Sequence, residues 1–134
     1  MPGTPLSVVE QVIRASWSAA SCDPVDEPWS PENPAKGQCG VTALVLQDHL
    51  GGELVMAEVL MVDGSRQGVH YWNRLPGGEV VDLTREQFVG GEVVQEPGGV
   101  VDRPDDITRG RLYGQYVALA TRVREGLARL GAAA

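Results

Sequence analysis

Cys39, His70 and Asp82 are the residues of this chain whose types and order could do nucleophilic chemistry together. Cys39 lies in "AKGQCGVTALVLQDHL" (35–50), directly after Gly37-Gln38 and at the start of an apolar run that predicts a helix. A thiol attacks as thiolate, and the free N–H groups and dipole of a helix N-terminus favour that anion. Gly37 lets the chain turn into the helix, and Gly40 leaves the next backbone N–H uncrowded. That N–H and the Gln38–Cys39 region are candidate donors to an oxyanion.

A thiolate catalyst needs a base, most often His. The chain has two. His49 is ten residues along the same expected helix, roughly 15 Å from Cys39. His70 is therefore the candidate partner, and it stands mid-strand in "VHYWNRL" (69–75). A turn at "PGG" (76–78) and a strand at "EVVDLT" (79–84) set position 70 opposite 83–84. Asp82 then lies diagonally across, where its carboxylate can hold the imidazole. Each residue also has a plainer role available. Cys39 can be a small core residue, His70 a hydrogen-bonded half-buried one, and Asp82 or Thr84 a cap for "TREQF".

The surrounding elements must position these groups. "PLSVVEQVIRASWSAA" (5–20) repeats Leu6, Val9, Ile13 and Trp17 at helical spacing. Residues 21–38 hold four prolines and read as a long loop. A helix is expected over 39–50, ended by Gly51-Gly52. "ELVMAEVLMV" (53–62) reads as a buried strand, with the "DGSRQG" turn (63–68) leading to 69–75. Together with 79–84 these form an antiparallel meander. "REQF" (85–88) opens a short helical turn, and 89–110 is Gly-, Pro- and Asp-rich with one edge strand at "EVVQ". A last helix spans 111–131, with Leu112, Tyr116, Leu119, Val123 and Leu127 on one face. The fold class is α+β, one domain over 1–134.

Composition narrows the partners. The net charge of −7 disfavours nucleic acid and anionic membranes. There is no 18-residue apolar run and no basic, apolar leader at the N-terminus, so a cytoplasmic protein is expected. Two cysteines are too few for a disulfide scaffold, and no CxxC or HxxxH pair suggests zinc. No cofactor is expected.

"GQCGVTALVLQDHLGGEL" and "HYWNRLPGGEVVDLTREQF", with the Trp of the first helix and the "W…NP…GQC" segment, resemble the YunG-like family of small bacterial proteins over residues 10–90. The order Cys at a helix start, His on a strand and Asp on the next strand is similar to the papain-like/transglutaminase-like superfamily. The resemblance implies that fold and a Cys39–His70–Asp82 triad, without naming a substrate. Unlike papain, this chain has no Gln half a dozen residues before Cys39; Gln38 is adjacent instead.

Trp29 and Asn33, in the proline-rich loop, are candidates for one wall of a cleft. Trp72 could wall it or fill the core, and Asn73 could orient Asp82 or pair with turn backbone. Gln87 and Phe88 are expected to lock the segment after Asp82, and Cys22 to be structural or a redox partner. The leading expectation is a thiol enzyme acting on an amide, ester or thioester of a small molecule or peptide. The alternatives are a ligand- or protein-binding module on the same fold, and a homodimer or accessory subunit formed through the last helix.

Overall fold

The computed structural model describes residues 4–133; the ends of the expected domain, residues 1–3 and 134, lie outside the described residues. The first helix, α1 (Leu6–Ser16), buries Val9, Val12 and Ile13. It stops four residues short of the expected end. Ser16 Oγ donates back to Val12 O, and Ser18 caps a separate 3-10 turn over Ala19–Ser21. Ser side chains that satisfy nearby backbone groups compete with helix continuation in this way. The 21–38 loop is ordered, and a second 3-10 turn at Pro24–Asp26 is capped by Asp23.

α2 (Cys39–Leu50) is the central helix. Val41, Val45 and Leu46 pack into one core with α1 and with Leu119 and Val123 of α3 (Tyr113–Ala133). Leu119 and Val123, on the face of α3 expected to be apolar, are therefore used inside the domain, with Leu112, Tyr116 and Leu127 partly buried against the same core. β1 (Glu53–Leu60) and β2 (Arg66–Arg74) pair antiparallel, and β3 (Val80–Val81) adds to β2 at Asn73 and Arg74. On its other edge β1 takes two short strands, β4 (Val93–Val94) near its end and β5 (Gly99–Val101) near its start. The α+β class and the meander are as expected, and β5 is additional.

The sheet separates two environments. Leu54, Met56, Val69 and Tyr71 face a cleft beside α2, and on the same face Asn73 donates to Ala43 O of that helix at 3.0 Å. Val55, Ala57 and Trp72 form a second small core on the opposite face, closed by Val94. His70 lies on this second face, stacked on Trp72 with ring centroids 5.6 Å apart.

Candidate active site

Cys39 is the first residue of α2 and lines a cleft of about 550 Å³. One wall of the cleft is α2, another is the Met56–Tyr71 face of the sheet, and a third is the segment 101–113 leading into α3. Asp23 and Arg111, both lining residues, tie the loop before α2 to that third wall through two bonds of 2.9 and 2.6 Å.

The thiol does not have the low pKa expected at a helix start. Burial pushes Cys39 up to about 11, and the nearby Asp26 carboxylate adds to the rise. The backbone N–H of Tyr71, the Gln87 side-chain amide and the Gly40 N–H act the other way and are outweighed. Desolvation of an anion in a largely apolar wall exceeds what one helix terminus supplies. The shift favours the thiol over the thiolate in the resting site.

His70 and Asp82 meet as the register required. His70 Nε2 lies 2.9 Å from each Asp82 carboxylate oxygen, and Arg85 Nε donates to Asp82 Oδ2 at 2.7 Å. Burial alone would raise Asp82; the bond from His70, and then Arg85, holds its carboxyl below the usual range. Asp82 is thus committed to His70 and Arg85 rather than to capping, and Thr84 makes no side-chain cap bond either.

Among the hydrogen bonds of the described residues, none joins Cys39 to His70. The two sit on different sides of β2, and His70 is fully buried. Gln87 stands between them. It ends a 3-10 turn (Arg85–Gln87) that folds past the edge of β2 beyond its pairing with β3. Its Oε1 accepts from Gly37 N–H at 3.3 Å, and its Nε2 bonds His70 Nδ1 at 3.3 Å. The Gly37 bond fixes which end of the amide is oxygen, so Nε2 is the donor and Nδ1 the acceptor. His70 therefore carries its proton on Nε2, directed at Asp82, with the Nδ1 lone pair toward Gln87 and the thiol side. This is the tautomer a base acting on Cys39 requires.

Several expected site residues lie elsewhere. Gln38 is fully buried; its Nε2 donates to Ser18 O, and its Oε1 is the buried side-chain polar atom without a partner among the described residues. It packs inward as the residue before α2 and is not an oxyanion donor in the cleft. Trp29 does not wall the cleft; its Nε1 donates to Pro34 O at 2.9 Å and staples its own loop. Trp72 fills the second core, with Arg85 over its ring. Asn73 does not reach Asp82, because its side chain holds α2. Asn33 donates to Gln87 O and so anchors the turn that carries Gln87. Cys22 is buried, bonds Asp23 O and is pushed up to about 11 by burial and by nearby carboxylates, with no disulfide. Gly40 does face the cleft, against Leu112 and Tyr71. Gln87, expected only to lock the segment after Asp82, lines the cleft with Tyr71 and Cys39.

These features define an α+β protein with a cleft-lining thiol at the N-terminus of its central helix and a His–Asp pair whose imidazole is buried. No solved structure matches it. A sequence model of the family described as "YunG protein" matches residues 5–128, and the chain belongs to that family. It is 40% identical over 80 residues to "Uncharacterized protein YunG" of Bacillus subtilis (strain 168), an overlap of 60% of this chain and 60% of that relative. No described helix is long and apolar enough to cross a membrane.

Proposed function

We propose that the protein is a thiol-dependent acyl enzyme, a hydrolase or transferase acting on an amide, ester or thioester held in the cleft. Cys39 attacks the carbonyl, His70 takes the thiol proton at Nδ1 and returns it to the leaving group, and Asp82 orients the imidazole. The observation that carries this is the placing of the two His70 nitrogens: Nε2 lies 2.9 Å from Asp82, and Nδ1 lies 3.3 Å from the amide of Gln87, which lines the cleft with Cys39. The chain order Cys, His, Asp supports placing it beside papain-like and transglutaminase-like enzymes. The cleft is large enough for a small molecule or a peptide side chain.

A second reading is a ligand- or protein-binding module, favoured by one observation: the His70 ring is closed off from solvent. Incubation with an acyl thioester followed by intact-mass and peptide mapping separates the two. The enzyme forms an adduct on Cys39 that water or an amine discharges, and Cys39→Ala forms none. Absence of an adduct, with the cleft still binding ligand, would leave the binding module.

A further inference from the structure

The Gln87 carboxamide is placed as a substrate amide would be. Attack of a thiol on an amide needs a fixed N–H donor for the carbonyl oxygen and an imidazole at the nitrogen that will leave. Gln87 Oε1 has the first in Gly37 N–H and its Nε2 has the second in His70 Nδ1, and Gly37 and Gln87 line the same cleft as Cys39. We propose that Gln87 is an internal occupant of the acyl subsite, that Gly37 N–H is the oxyanion donor, and that the substrate is a primary carboxamide replacing Gln87 group for group. Both assignments rest on Cys39 acting as the acyl nucleophile.

Three further observations support the exchange. The two hydrogen bonds of the Gln87 carboxamide, one N–H···O and one N–H···N, are each 3.3 Å long, at the long end for such bonds. Its backbone is fixed by Asn33, so the side chain can swing without moving the turn. Gly37 N–H has its bonding partner in Gln87 Oε1, and φ of +73° at Gly37 is what aims that N–H into the subsite. A Cβ there would lie 2.5 Å from Cys22 Sγ, so the donor is built on a position closed to other residues.

With a carboxamide in place of Gln87, the Cys39 proton passes to His70 Nδ1 and the sulfur bonds to the carbonyl carbon. The C–N bond breaks, and the Nδ1 proton leaves with the nitrogen as ammonia. Water then adds to the thioester, which releases a carboxylic acid and restores the thiol.

The test uses Gln87→Ala in the full chain, with its fold checked by thermal melting. Cys39 is alkylated with iodoacetamide, which carries a carboxamide, and with iodoacetate, which does not; propionamide serves as competitor. Vacating the subsite raises iodoacetamide labelling over wild type. The rise exceeds that for iodoacetate, and propionamide suppresses it. Equal acceleration of both reagents with no protection would make Gln87 a strut and overturn the proposal. Wild type gives a reading independent of the variant: the Gln87 side-chain amide resonances must shift as propionamide is titrated, and their constancy would overturn it as well. Protection by propionamide without any acyl adduct on Cys39 would overturn the enzyme assignment and leave the occupancy standing. An adduct without protection would do the reverse.

Discussion

The resting Cys39 should alkylate more slowly than an ordinary thiol. Burial moves it from 9.0 to about 11. At neutral pH that lowers the thiolate population about 100-fold, while the more basic thiolate is about eightfold more nucleophilic, leaving a net slowing of about tenfold. The assay is iodoacetamide labelling against pH, with peptide mapping to separate Cys39 from Cys22, referenced to the same chain in urea. The folded rate should still be climbing between pH 9 and 11. The same shift has a stability side. A group raised on folding stabilises fully below its unfolded pKa, so this contribution is present below about pH 9 and lost as pH rises toward 11, up to about 2–3 kcal/mol. A Cys39 that labels faster than the unfolded chain, with a plateau below pH 8, would refute the desolvation reasoning and mean that helix start and imidazole dominate.

Three other outcomes are expected. Asp82→Asn leaves Arg85 and His70 facing an amide and costs about 1–3 kcal/mol at neutral pH. Because Asp82 is depressed on folding, its contribution is present above 3.8 and lost below, so the deficit against wild type in urea melts should shrink on acidification through that range; a deficit constant with pH would rule out the ion pair. Gly126→Ala places a Cβ 2.7 Å from Val12 Cγ1 across the α1–α3 contact. Overpacking of about 1–3 kcal/mol outweighs the helix-propensity gain of about 1 kcal/mol, and in a Val12→Ala background the same change should become stabilising. Gly37→Ala combines φ of +73° with a clash on Cys22 and should lower stability by more than about 2 kcal/mol in urea melts, with Cys39 labelling altered as the loop shifts.

Much of the frame was legible in local pattern. The helix expected over 39–50 is Cys39–Leu50, ended by Gly51 with φ of +73°. The His70–Asp82 contact followed from a period of two and a tight turn at Pro76–Gly78, which fix register over a short span. What stayed hidden depends on non-local packing. β5 pairs with β1 across more than forty residues and is three residues long. The side of β2 from which Cys39 approaches is set by how α2 docks, so the His70 face could be grouped correctly with Trp72 and still be the face away from the thiol. Gln87 sits between them because the 85–87 turn wraps the free edge of β2, and spacing carries no signal for that. Helix-start logic placed Cys39 correctly, but its pKa is decided by burial depth, which is a property of the assembled walls.

The measurement that bears most directly on Cys39 and His70 acting together is the burst of p-nitrophenolate from p-nitrophenyl acetate, followed against pH in wild type, Cys39→Ala and His70→Gln. Wild type should release about one equivalent as Cys39 acylates, Cys39→Ala none, and His70→Gln the same amount at a rate lower by about 100-fold. A burst of the same rate in His70→Gln, or one that persists in Cys39→Ala, would contradict the assignment of thiol and base.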